Sequence, residues 1–456
     1  MHGRRIFYRG ALRAGERRAW QKEFGGKQFA AQYPQSMKAS AFLILPLTAA
    51  ILPLHAKEVV TFTSLNPSTA SASAVLGGAG IQQVGRATIG TDLHGILWNS
   101  SASSFVDLHP AGAVSSLVFA TNGSKQAGEI FTATNVHAAL WSGTAASFLD
   151  LNPAGATDSA IRSIAGNQQV GDAKVGGNTK AAVWAGTAAS YTDLTPAAAT
   201  EGTLWSTTGL QQAGQATIGG VRHAGLWSGS AGSFVDVHPS SYSESAIYGT
   251  TGTQQVGFAS ISGKSHAGLW TGTAASFVDL HPSGATESQA NSTMDTRQAG
   301  SANFSGNSHA AVWSGTAASF VDLQSFMPAA YTSSSVRSIL KVGDHILVAG
   351  YAFNATLART EAVLWEITDV PAPIVRIAGR KSLITTNNRL KIHGTASGSV
   401  TSVSYKIGKK TRAAKGATKW SFIARLKPGR NVIFITATGP GGDSAAKRLV
   451  VRRVKP

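Results

Sequence analysis

The chain predicts an all-β fold: a seven-bladed β-propeller of 43-residue repeats with four strands per blade, followed by an immunoglobulin-like β-sandwich. Three observations point there. The stretch WSGTAASFVDL, from Trp313 to Leu323, has near-copies at Trp98, Trp141, Trp184, Trp227 and Trp270, each Trp 43 residues after the last. The repeats keep an aspartate in step, at Asp107, Asp150, Asp193, Asp236, Asp279 and Asp322, and a constant period of this size marks an array of equal structural units. The balance of charge then changes abruptly after residue 370, as expected where one domain gives way to another.

Composition agrees with short strands and tight turns. Only 14% of the 456 residues are charged, and Gly, Ala, Ser and Thr take the place that charged residues hold in most soluble domains. The absence of cysteine excludes disulfides, thiolate metal sites and cysteine nucleophiles, so stability rests on burial and sheet pairing. Residues 1–36 hold eight basic and two acidic residues, net +6, and have no apolar period. They read as a basic leader or as a start assigned too early, with Met37 the true start. Met37-Lys38 opens the apolar run Ala39 to Leu54, and residues 37–56 read as a signal peptide. The run is shorter than the roughly 20 apolar residues a transmembrane helix needs. No other run is long enough, so a secreted or cell-surface protein without a membrane-spanning helix in the mature chain is expected.

Residues 57–370 form the array, with thirteen basic and nineteen acidic residues, net −6. Each unit has four parts: S-F-V-D-L-H-P as at Ser276 to Pro282, a variable run as at Ser159 to Ile164, Q-Q-V-G-x-A as at Gln168 to Ala173, and H-A-x-L-W-S-G as at His223 to Gly229. Each part alternates or is β-branched, and Gly, Asn, Pro or Ser separates them, which gives four strands per unit. Phe62 to Pro67 matches Phe105 to Pro110 one period later, so the array starts there. The last unit is stretched to 52 residues, from Trp313 to Trp365, and ends on a degenerate Trp365 and Asp369. Seven steps of four strands imply a seven-bladed ring whose two ends share a blade. The pattern Q-V-G, H-A-x-L-W and D-L resembles the HAF-type extracellular repeats of bacterial exported proteins, although Leu-His-Pro stands here for Leu-Gly. The resemblance implies a propeller outside the cell and no defined activity.

The repeated polar residues read as scaffold. His94, His137, His223, His266 and His309 precede the Trp by four, and His109, His238 and His281 follow the Asp by two. One residue of a kind per blade lies too far from its copies to share one metal ion, so these are expected to tether the blade by satisfying buried polar groups. The positions that refuse to repeat are the candidates for function. After the last common apolar residue of the variable run stand Leu76, Phe119, Arg162, Trp205, Tyr248, Asn291 and Arg337. These are expected to line one face of the disc and read a ligand, with Phe119, Trp205 and Tyr248 as anchors. No hydrolase, zinc, phosphate-loop or calcium motif occurs, and no cofactor is implied.

Residues 371–456 follow the stiff Pro371-Ala372-Pro373 and hold nineteen basic residues against one acid. Alternating runs at Ile374 to Ile377, Leu390 to Ile392, Val400 to Ile407, Trp420 to Leu426, Asn431 to Thr438 and Ala446 to Val454 predict a sandwich. Gly394-Thr395-Ala396, Trp420-Ser421 and Leu426-x-Pro428-Gly429-x-Asn431 resemble the small bacterial Ig-like domains appended to exported enzymes and adhesins. A surface so basic attracts polyanions, and Lys406, Lys409, Lys410, Arg412, Lys415 and Lys419 are candidate contacts for anionic envelope polymer. With little interleaving of basic and aromatic residues, sequence-specific nucleic-acid binding is not expected. The expectation is an exported, non-enzymatic adhesion or binding protein that recognises a cell-surface glycan or protein. The alternatives are an extracellular propeller hydrolase or lyase acting on polysaccharide, and a structural exoprotein scaffold.

Overall fold

The computed structural model describes residues 57–455; the basic leader (1–36) and signal segment (37–56) expected from the sequence lie outside the described residues. Seven four-stranded antiparallel sheets follow one another along the array. The first blade is Ala72–Ala79, Gln82–Ile89, Asp92–Asn99 and the two-residue strand Val106–Asp107. The next five repeat this pattern. The variable run of each unit forms the first strand of its blade, and these first strands pack against one another around the axis, so they are the innermost.

The seventh blade closes the ring. Its strands Tyr331–Val342, His345–Asn354 and Arg359–Val370 are followed by an outer strand from the opposite end of the array, Lys57–Ser64. The pairing runs from Lys57 opposite Val370 to Ser64 opposite Val363. The two ends share a blade, as the matching sequence at Phe62 to Pro67 implied.

The recurrent stretch turns the chain from the third strand to the outer one. In the second blade the Ser147 Oγ accepts from the Ser142 amide at 2.8 Å and donates to the Thr144 carbonyl at 2.6 Å, holding the single 3-10 turn Ala145–Ser147. The short outer strand Leu149–Asp150 follows. The tryptophans do a different job. Trp98, Trp141, Trp184, Trp227, Trp270, Trp313 and Trp365 are at most 1% exposed, and each packs against the preceding blade. Trp184, for example, shares a cluster with Leu140 and Leu151 of the second blade and Ile161 of its own. The core is thus a set of inter-blade wedges. Burial of about 200 Å2 per indole at about 25 cal/mol/Å2 gives about 5 kcal/mol of gross stabilisation at each junction.

The repeated histidines tether the blades. The Nδ1 atoms of His94, His137 and His223 lie 2.7 Å from Asp107, Asp150 and Asp236, and those of His266 and His309 lie 2.8 Å from Asp279 and Asp322. The second histidine stacks on the first, with ring centroids 4.1 Å apart for His94 and His109, and its Nδ1 meets a buried serine, Ser116, at 2.9 Å. That serine accepts from the Gly95 amide at 2.8 Å, so the chain of contacts ends on a buried backbone group.

The C-terminal piece is a β-sandwich. One sheet is Ile374–Ile377, Arg389–Ser397 and Lys419–Arg425. The other orders Ser382–Thr385, Lys447–Arg453, Gly429–Gly439, Ser402–Ile407 and Lys410–Ala413, with Gly442–Asp443 beside Gly429–Gly439. Trp420, Phe422 and Tyr405 stack in its core. Three of its strands were not legible in the sequence, among them the two-residue Gly442–Asp443 in a stretch that reads as a turn. Lys410–Ala413 is exposed at every position and shows no alternation, as suits an edge strand guarded by charge. Ser382–Thr385 is short and runs parallel to Lys447–Arg453. Among the described residues no helix is long and apolar enough to cross a membrane.

Candidate functional site: the axial cavity

In every blade the pairing of the first two strands slips by one residue. The register shifts fall between Val75 and Gly77, Val118 and Ala120, Ile161 and Ser163, Leu204 and Ser206, Ile247 and Gly249, Ala290 and Ser292, and Val336 and Ser338. The unpaired residue of each bulge is the one that refuses to repeat: Leu76, Phe119, Arg162, Trp205, Tyr248, Asn291 or Arg337. A bulge leaves one residue out of the ladder and re-aims its side chain.

A glycine makes each bulge possible. Gly85, Gly128, Gly171, Gly214, Gly257, Gly300 and Gly350 stand opposite the slips, and a Cβ on any of them would meet a carbonyl oxygen of the inner strand at 1.9–2.0 Å. The repeated Gly of Q-x-V-G-x-A is there because the inner strand approaches too closely for any side chain.

All seven bulge residues line one cavity of about 580 Å3 at the ring axis. The sequence reading placed them on one face of the disc; the bulges turn them instead towards the axis. The cavity extends from this ring towards the C-terminal ends of the inner strands, past Ser163, Ser206, Thr250, Thr293 and Ser338.

The ring is electrostatically uneven. The Arg162 Nε lies 3.2 Å from Asp172 and its Nη1 3.5 Å from Glu129. Its guanidinium also sits 4.8 Å from the Phe119 centroid and 5.4 Å from that of Trp205. Trp205 meets Tyr248 edge-on at 5.6 Å. Asn291 donates to the Val336 carbonyl at 2.7 Å, while its Oδ1 is buried without a partner. Arg337 donates from Nη2 to the Tyr351 phenol at 3.2 Å, and its Nε is buried without a partner. Burial pushes the Glu129 carboxyl up, opposed by Arg162 and reinforced by Asp172. Burial also works to raise the Tyr351 phenol, but the charge and hydrogen bond of Arg337, with Ser335 and Arg86, outweigh it and leave the phenol below its ordinary value.

These contacts expose a second variable ring that the sequence reading missed. The residue after each close-approach glycine is Arg86, Glu129, Asp172, Gln215, Phe258, Ser301 or Tyr351. Asp172, Phe258 and Tyr351 touch the bulge residue of their own blade, and Glu129 reaches Arg162 of the next. The signal was available, since this position also refuses to repeat while the glycine before it never changes.

In the sandwich, Lys406, Lys409, Lys410, Arg412, Lys415 and Lys419 are all exposed. They follow the hairpin of Ser402–Ile407 and Lys410–Ala413 and the crossing to Lys419–Arg425, where Lys415 pairs with Ser421. Elsewhere on the outer faces, Lys406 and Arg448 flank Phe434 in one row, and Arg376 and Lys419 flank Thr395 in another. Among the described residues no group of three or more His, Cys, Asp or Glu side chains is placed to hold a metal ion.

The fold defines a seven-bladed propeller carrying a β-sandwich. No protein-family model matches the chain, and no curated protein does. Solved structures that it resembles include the fibronectin type III-like modules of CbhA from Clostridium thermocellum, at 19% identity over 18% of this chain and 98% of that one, TM-score 0.16. The puromycin hydrolase structure aligns at 10% identity over 73% of this chain, TM-score 0.40, and the aligned part is 61% of that enzyme. The propeller domain of the Trilobed protease from Pyrococcus furiosus, described as having an open velcro topology, aligns at 8% identity over 66% of this chain and 96% of that domain, TM-score 0.42.

Proposed function

We propose that this is an exported, non-enzymatic binding protein of the HAF-repeat type, whose propeller holds a glycan group in its axial cavity and whose basic sandwich rests on anionic envelope polymer. One observation carries the reading: seven positions that vary while the scaffold repeats converge on one cavity of about 580 Å3. A volume in the range of about 300–1,000 Å3, with Phe119, Trp205 and Tyr248 set in a lining rich in polar side chains, suits a small polar ligand or the end of a chain better than a flat protein surface. The acids nearest the ring, Glu129 and Asp172, both face Arg162, which favours binding over catalysis.

The test is a glycan array probed with the intact chain and with Trp205→Ala and Tyr248→Ala. Loss of signal of about tenfold or more in either variant supports the reading; unchanged binding of every glycan and partner overturns it. For the sandwich, retention on anionic polymer that falls steeply as salt rises is expected, and equal retention at low and high salt removes the electrostatic association. A second reading, a polysaccharide hydrolase or lyase, draws on the raised Glu129 carboxyl, which is suited to holding a proton. Release of shortened product from a bound polymer, abolished by Glu129→Gln, would favour it.

A further inference from the structure

The two arginines of the bulge ring differ in a way that bears on what the cavity holds. Arg162 is neutralised by Glu129 and Asp172 and covered by Phe119 and Trp205. Arg337 has no carboxylate within ion-pairing distance among the described residues. Its Nη2 bonds a phenol, and its Nε is buried without a partner among the described residues. A half-buried guanidinium without a counter-charge is costly unless something outside the chain supplies one. No acid stands on the second ring beside it: the corresponding positions are Tyr351 in its own blade, Ser301 in the blade before and Arg86 in the blade after.

From Arg337 the ring continues through three neighbouring blades with Asn291, Tyr248 and Trp205. The Asn291 Nδ2 is fixed by the Val336 carbonyl at 2.7 Å, so its Oδ1 is the atom left needing a donor. Tyr248 and Trp205 meet edge to face at 5.6 Å and offer an aromatic wall. This arc therefore presents a cation with a planar fork and, past Asn291, aromatic faces. A guanidinium fork matches a carboxylate in two parallel hydrogen bonds. An aromatic wall suits the flat C–H face of a pyranose.

We infer that the axial cavity is selective for acidic saccharide, taking the carboxylate of a hexuronate residue on Arg337 with its ring towards Tyr248 and Trp205. This rests on the reading of the cavity as a glycan site and names the class of glycan. On the opposite side of the ring stand Leu76, Phe119 and Arg162, whose charge Glu129 and Asp172 already neutralise.

Titration calorimetry of the intact chain with oligogalacturonate, with its methyl ester and with neutral galacto-oligosaccharide tests it. The acid form is expected to bind about 10- to 100-fold more tightly than the other two, and Arg337→Gln to remove that margin. Arg337→Lys, which keeps the charge and loses the fork, is expected to restore part of the margin. Unchanged tryptophan fluorescence in both variants separates loss of the ligand from loss of the fold. If acid, ester and neutral sugar bind alike, or if Arg337→Gln binds the acid as well as the parent chain does, the inference falls while the glycan reading stands. If none of the three binds and a glycan array is also blank, both fall.

Discussion

Gly214→Ala tests the link between the repeated glycine and the cavity. In the native ring a Cβ at Gly214 would stand 2.0 Å from the Thr203 carbonyl oxygen and 2.9 Å from the Leu204 Cα, and real Cβ atoms essentially never come within 3.0 Å of such atoms. One strand must therefore withdraw by at least 1 Å at the place where Leu204 pairs with Gly214 and Trp205 leaves the ladder. Losing two ladder hydrogen bonds costs about 1 kcal/mol each, and overpacking of an interior costs about 1–3 kcal/mol more. The expected destabilisation is about 3–5 kcal/mol. Gly232→Ala, in the same blade, is the matched control. Nothing lies within 4 Å of its added Cβ, and alanine already occupies the equivalent place at Ala146, Ala189, Ala275 and Ala318. That change is expected to be neutral or to stabilise by about 0.4–1 kcal/mol through the unfolded chain. Urea unfolding followed by the fluorescence of the buried tryptophans reads both. A Gly214→Ala midpoint within error of the Gly232→Ala midpoint would refute the argument that close approach dictates the glycine.

Two further outcomes follow from the same scaffold. The Trp227 Nε1 donates to the Leu194 carbonyl at 2.9 Å, whereas the Trp184 Nε1 has no partner, so Trp227→Phe should cost about 1–3 kcal/mol more than Trp184→Phe in urea unfolding. Burial, with the adjacent His223, holds His238 below its usual 6.5, so the unfolded chain binds its proton more readily. Its stabilising contribution is therefore complete above about pH 6.5 and is lost as pH falls through the lower folded value. His238→Asn should flatten that acid-side loss in a series of unfolding midpoints at different pH. Asn152 already fills the matching place and accepts from Ser159 at 2.6 Å.

How much of this the sequence disclosed depends on whether a feature lives in one strand or between two. The period of Trp98 to Trp313, the four parts of each unit and the sharing of a blade by Phe62 and Trp365 are written along the chain, because each blade must solve the same packing problem. The seven variable residues were legible as a set for the same reason. Their direction was not. A bulge is an offset between two strands that each look regular alone, so Trp205 and Arg337 read as lining one face of the disc when they line the axial cavity. The second ring, from Arg86 to Tyr351, was hidden behind the glycine that precedes it, which drew the eye as the repeating element. Of the mates of Arg162, Asp172 lies across the hairpin in the same blade, and Glu129, in the blade before, needed the ring itself.

The closing strand sets a condition on how the molecule is assembled. Lys57–Ser64 finds its partner in residues roughly 300 positions later. Bringing ends so far apart together costs about 5 kcal/mol of loop entropy if nothing between them is folded. Each completed blade shortens the remaining gap, because it packs on the one before it. A chain emerging in order must then keep its earliest strand unsatisfied until the last blade exists, and the waiting interval is when its hydrogen-bonding edge is open to a neighbouring molecule. The shared blade that makes the finished ring seamless is, during synthesis, its most exposed seam.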